Sequence, residues 1–307
     1  MSDMQHIIGI DIGKTKIAAG LFDRNLFLKD YIVKSSGKCA QEILVIVEKI
    51  IKYYIEKYNN SILGIGIASF GVVDTDRGSI VSSGVIIDWY NIPIKRQIEL
   101  LFQVPVFVEN DVKAAAFGEF CFTNTLERQN SLLYLSIGTS IGVAFVQNAS
   151  LCYGAHKRFG EIASFRPAHS QLTLGEIIGG KGLIEQYYSH TKCIITGDEL
   201  FSLATKGDVI SKKIYEAMIT TTAELLRWFS ICFDPTDLII GGGVICKNSI
   251  LFDMIQDYYK IISDEGDNRL TMAKLREKSG IYGAAAVVVQ NVIGDISNIT
   301  IKEDDYV

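Results

Sequence analysis

Proline is scarce in this 307-residue chain, with only four, and no low-complexity tract accompanies them. No flexible linker is therefore expected. The six cysteines, Cys39, Cys121, Cys152, Cys193, Cys232 and Cys246, are scattered, with no Cys-x-x-Cys pair. That spacing argues against a zinc ribbon or a disulfide framework and fits a reducing compartment, the cytoplasm. Apolar runs long enough to span a membrane are missing. The opening residues, Met1-Ser2-Asp3-Met4-Gln5-His6, lack a basic stretch followed by an apolar one, so no signal peptide is expected. Basic charge is short as well. A formal net charge of −5 argues against a general nucleic-acid binder.

What the chain has in plenty is core. Hydrophobic residues make up 48% of it, enough for one large or two medium domains. The most informative stretch is Val106-Phe107-Val108-Glu109-Asn110-Asp111-Val112 and the alanine run after it. Residues 106–108 suit a buried strand, and residues 112–120 suit a helix. Asn110 and Asp111 fall at the break. A carboxylate there faces the positive end of the helix, which favours its charged form. The carboxyl end of a strand is also where open α/β sheets bind ligands. Asp111 is thus a candidate base, and the alternative is that Asn110 or Asp111 caps the helix.

Two strand–turn–strand units bracket this stretch. The first predicts strands over 6–10, 17–22 and 26–33, with Asp11-Ile12-Gly13-Lys14-Thr15-Lys16 in the turn. Turns of this composition bring peptide N–H groups and a hydroxyl to phosphate oxygens, and the Asp11 carboxylate suits magnesium, directly or through water. The second has strands over 131–137 and 143–146 around Gly138-Thr139-Ser140-Ile141-Gly142. Two such units suggest a duplicated architecture with nucleotide between the halves. Gly241-Gly242-Gly243 follows a strand over 237–240. Bare glycines allow close approach to a flat ligand, or a tight turn packed on the sheet. Helices are predicted over 40–58, 94–102, 211–233 and 281–292.

Taken together and in order, these motifs resemble the ROK family of sugar kinases and repressors over nearly the whole chain. The phosphate motifs lie at residues 11–16 and 138–142, the adenosine motif at 238–244, the catalytic stretch at 109–116 and the closing helix from Gly280. The resemblance implies an α/β, two-domain actin-like ATPase fold of the ribonuclease H-like, hexokinase type. A small domain would span residues 1–117 and be completed by 281–307, with 118–280 as the larger one. It further implies an ATP- and magnesium-dependent kinase acting on a hexose or N-acetylhexosamine. Asp111 would accept the proton of the attacking hydroxyl. Ser69, Gly71, Asn110, Glu161, Ser164 and Glu176 would meet the sugar. Gly13, Lys14, Thr15, Lys16, Gly138, Thr139 and Gly241 to Gly243 would meet the nucleotide, with magnesium near Asp11. Members often form dimers.

The departures are as informative. Lys14 stands where a second glycine is usual, and Ala163-Ser164 stands where Gly-His follows Gly160-Glu161-Ile162. The cysteine-rich zinc loop is missing, and residues 165–173 take its place. The next sugar-binding glutamate of the family falls near Gly175 or Glu176, and His169 reads as a surface loop residue. Only ten residues precede Asp11, so a winged-helix repressor of the family is not expected. A catalytically weak sugar sensor is the alternative to the kinase. A closed zinc site needs four ligands, usually cysteine and histidine, and residues 153–192 offer only His156, His169 and His190. Elemental analysis of the purified protein should therefore find zinc well below one equivalent.

Overall fold

The computed structural model describes residues 5–58, 61–83, 86, 88–123, 131–264 and 268–294. They fall into two units, one drawn from the chain up to 123 and again from 278, the other from 131–277. The first begins with β1 (His6–Ile12) and β2 (Lys16–Phe22), paired antiparallel with Asp11 opposite Ala18. β3 (Leu28–Ser35) pairs with β2, two residues later than expected. The delay comes from the turn. Asp23 Oδ1 accepts the N–H groups of Asn25 and Phe27, and Leu26 takes a φ of 61°.

After α1 (Ala40–Lys57) the chain lays β4 (Ile62–Ser69) parallel to β1. A small hairpin of β5 (Val72–Asp74) and β6 (Ser79–Ser82) and helix α2 (Ile94–Phe102) lead to β7 (Val106–Asn110), parallel to β4. Helix α3 (Asp111–Thr123) follows without a break and runs past the expected boundary at 117. The sheet order is β3-β2-β1-β4-β7.

The second unit repeats this plan. β8 (Ser131–Ile137), β9 (Ile141–Gln147) and β10 (Ser150–Leu151) are antiparallel. Then come α4 (Leu174–Ile178), α5 (Gly180–Thr191), α6 (Gly197–Thr205) and the long α7 (Val209–Phe233). β11 (Asp237–Gly241) is parallel to β8. After α8 (Gly243–Cys246) and α9 (Ser249–Ile262), β12 (Arg269–Met272) is parallel to β11. The order β10-β9-β8-β11-β12 copies that of the first sheet. Leu133, Leu135, Leu238 and Ile240 bury one face against Met218, Leu226 and Ile255 of its helices.

Helix α10 (Ser279–Val292) returns to the first unit. Side chains alternate across a strand, so Ile8, Ile10, Ile65 and Ile67 face Ile43, Val47 and Ile98 of α1 and α2. That leaves Gly9, Asp11, Gly64 and Gly66 for the opposite face, where α10 lies. A Cβ on Gly66 would stand 1.9 Å from the Ala284 carbonyl oxygen, and one on Gly9 2.2 Å from that of Ile281. Against α3 the approach is as close, since a Cβ on Gly283 would meet the Ala114 carbonyl oxygen at 1.7 Å. These glycines serve proximity rather than turning, because none has positive φ. Gly66→Ala should therefore lower stability by about 2 kcal/mol or more through overpacking. Gly197→Ala, at the first position of α6 with nothing within 4 Å, should change it by less than about 1 kcal/mol. Urea unfolding of the two variants checks the contrast.

Candidate functional site

Three parallel strands of the first sheet end at one edge. The register sets Ile12 beside Ser69 and Ser69 beside Asn110. Asp11, Ser69, Asn110 and Asp111 are thereby gathered from 100 residues of sequence at the carboxyl ends of β1, β4 and β7. The side chain of Asp11 points to the α10 face, where a Cβ on Gly280 would lie 2.5 Å from its Oδ2. Burial pushes its pKa up to about 6, while the Lys16 ammonium pulls it down. In the adjoining turn the Gly13 N–H donates to the Lys16 carbonyl at 2.9 Å, and the Ser36 N–H donates to that of Thr15 at 3.0 Å. Lys14 and Thr15 are exposed. Lys14 has no left-handed backbone, so this turn does not require a glycine there.

The capping alternative is realised by Asn110. Its Oδ1 accepts the N–H groups of Val112 and Lys113, both at 3.1 Å. Its Nδ2 donates to the Gly71 carbonyl at 3.0 Å and to Asp111 Oδ1 at 3.1 Å. An amide side chain has two N–H donors and two acceptor lone pairs, so Asn110 is fully engaged. Asp111 begins α3, half-buried, and its Oδ1 also accepts the Val112 N–H at 2.9 Å. Gly71, at φ 94°, is pressed against the Ser82 carbonyl, and no side chain would fit there. Ser69 lies deeper than a cleft-lining residue. It is fully buried, its hydroxyl donating to the Phe70 carbonyl and accepting from the Trp89 indole.

In the second unit the Gly138 N–H donates to the Ser140 carbonyl at 2.9 Å, closing the turn as Gly13 closes the first. Thr139 is exposed. The carbonyls of Gly138 and Thr139 accept from Gly180 and Lys181, so the start of α5 buttresses this turn. The glycine run Gly179-Gly180-Lys181-Gly182 carried that signal, and sequence reasoning passed over it. Of the later glycines, Gly241 and Gly242 are packed, the first against Tyr134 and the second, at φ 86°, against Ile137. Of the three, Gly243 alone has open space beside it.

Gly160, at φ 87°, accepts from the Val143 N–H and anchors the segment carrying Glu161 and Ser164, both exposed. The Ala163 carbonyl accepts from Gly175. Glu176 is committed locally. Its carboxylate accepts from the Thr173 N–H and hydroxyl, a capping box that opens α4 and holds its pKa below the usual value. His169 sits exposed in a loop at φ 64°. Among the described residues no group of three or more His, Cys, Asp or Glu is placed to hold a metal, and no helix is long and apolar enough to cross a membrane. A groove between β3 and α1, lined by Ile32, Lys34, Ile46, Lys49 and Tyr53, includes none of these site residues.

Known proteins resemble this chain along most of its length. A glucokinase of Streptomyces coelicolor is 27% identical, over 91% of this chain and 96% of its own. A xylose repressor of Caldicellulosiruptor bescii is 22% identical, over 95% of this chain and 80% of its own. The crystal structure of a ROK family glucokinase from Streptomyces griseus, in complex with glucose and AMPPNP, superposes with a TM-score of 0.78. It is 24% identical, covering 92% of this chain and 98% of that one. The fold is the two-domain, α/β actin-like ATPase fold expected from the sequence. The model of the ROK family matches residues 7–291. From β1 to α10, through every motif described above, this chain belongs to the ROK family.

Proposed function

We infer that the protein is an ATP-dependent sugar kinase. It would transfer the γ-phosphoryl group of ATP to a hydroxyl of a hexose or N-acetylhexosamine. The observation that carries this reading is the placement of Asp111, at a sheet's carboxyl edge on the first turn of a helix and oriented by Asn110. The glucokinase name of the Streptomyces coelicolor relative supports it. So do the glucose and AMPPNP held by the Streptomyces griseus structure.

The sugar hydroxyl would pass its proton to the Asp111 carboxylate as its oxygen bonds to the γ-phosphorus. The bond from that phosphorus to the bridging oxygen breaks, and ADP leaves. Asn110, with its amide already occupied, would serve mainly to aim Asp111. Glu161 and Ser164, near the surface beside Gly160, are the groups offered to sugar hydroxyls. Lys14, Thr15 and Thr139, exposed on the two closed turns, are those offered to phosphates. Gly243 offers an open face to the flat base. Asp11 is a single carboxylate at a strand end, and it fits magnesium held chiefly by nucleotide phosphates and water. A magnesium ion so bound would spread the negative charge of the phosphates. None of the six cysteines is joined in a disulfide, in keeping with a reducing, ATP-supplied cytoplasm.

Incubation with ATP and a panel of hexoses and N-acetylhexosamines should release ADP with at least one of them. Sugar binding without ADP release would instead mark a sensor. Asp111→Asn should cut turnover by about 10²–10⁴-fold with little change in nucleotide affinity. A pure cap would tolerate the change, because asparagine caps as well as aspartate. Rate measurements on the folded variant decide between the two. Asp11 binds a cation only as the carboxylate, so the magnesium requirement should rise as pH falls through about 6. In Asp11→Asn that added pH dependence should vanish, as magnesium titrations between pH 5 and 7.5 would reveal.

A further inference from the structure

Trp89 is fully buried and lies outside every motif read from the sequence. Its indole N–H donates to Ser69 Oγ at 3.2 Å, and its ring stacks on Phe70 with centroids 5.9 Å apart. The Ser69 hydroxyl, having accepted the indole, spends its own proton on the Phe70 carbonyl at 3.0 Å. The next residue, Gly71, presents its carbonyl to Asn110 Nδ2, and Asn110 in turn bonds Asp111. The residue before Trp89 is anchored as well. Asp88 Oδ2 accepts the Ala40 N–H, one of the open donors at the start of α1, where Cys39 offers no side-chain cap.

We propose that Trp89 is a positioning residue for the phosphoryl-transfer site. It locks Ser69 and the Phe70–Gly71 turn, so that Gly71 holds Asn110 and Asn110 holds Asp111 in one orientation. This rests on the kinase reading for its functional consequence, but the linkage itself is structural. Ser69 then acts behind the site, through the peptide units it fixes, rather than by touching sugar. Indole suits this task because it is a donor only. It can bond Ser69 in just one sense, and this leaves the serine proton for Phe70.

The test uses Trp89→Phe, which keeps an aromatic ring against Phe70 and deletes the N–H, and Ser69→Ala, which removes the acceptor while leaving Trp89 in place. Hydrogen exchange is read at the Val112 and Lys113 amides, which Asn110 caps. Both variants should speed exchange there by about tenfold, the size of one lost hydrogen bond. Amides of α7 should stay unchanged. Turnover with the best sugar should fall by a similar factor, with the nucleotide KM unaffected. The double variant should be no worse than the poorer single one, because both break the same link. Wild-type exchange at these two amides, or an equal rise throughout the first unit, would overturn the proposal. If the wild-type protein releases no ADP with any sugar, the kinase reading fails, while the exchange result still decides whether Trp89 positions Asn110. Should Trp89→Phe not fold, exchange in Ser69→Ala decides the same point alone.

Discussion

The architecture of the first unit depends on how near α10 comes to the sheet and to α3. Ordinary side chains keep a helix and a sheet well apart. Here Gly9, Gly66 and Gly283 remove that spacing, and carbonyl oxygens sit where Cβ atoms would otherwise be. The first turn of α10 is thereby brought to two acids. Ser279 Oγ donates to Glu119 Oε1 at 2.8 Å, and Gly280 lies against the Asp11 carboxylate. A buried acid without a partner is costly, and a helix start is a favourable neighbour for one. The helix thus backs β1 and β4 and brings its first turn to Asp11, at the end of β1, and to Glu119, on α3.

Much of this is legible in the chain, and the misses have physical causes. Helix α2 and the strand–turn–strand units follow directly from apolar periodicity and turn residues. The cap at Asn110 is one of the two alternatives that the sequence leaves open. Asn110 takes the cap and leaves Asp111 oriented beside it. The setting of Ser69 depends on Trp89, 20 residues away, and no local pattern announces such a pair. Glu176 is different. Thr173 and Glu176 have the spacing of a capping box, so its local engagement is readable without any family comparison. Likewise nothing in three consecutive glycines says which one faces space. That is decided by Tyr134 and Ile137 on the neighbouring strand.

The two sheets share a strand order, yet they carry different chemistry. Asp11-Ile12-Gly13 closes β1, and Ser136-Ile137-Gly138 closes β8 in the same place, a hydroxyl standing for a carboxylate. At the end of the fifth strand the difference is larger. β7 runs into Asp111 and a helix, whereas β12 runs into Ala273, whose N–H bonds back to Ile240. A duplicated scaffold therefore presents these acid groups at one edge only. What distinguishes the two sheets lies in the substitutions made on a repeated frame.

The order of the elements has a consequence for how the protein is made. The second unit is one uninterrupted stretch, whereas the first takes its last helix from the far side of that stretch. On the ribosome, β1 and β4 emerge early and α10 emerges only after the whole second unit. The sheet face bearing Gly9 and Gly66 must wait, uncovered, through the synthesis of about half the chain. That face is not all small residues, because Ile7 and Phe22 stand on it and Phe22 ends up against Tyr282 of α10, so until the helix arrives it offers apolar surface that another nascent chain could grip.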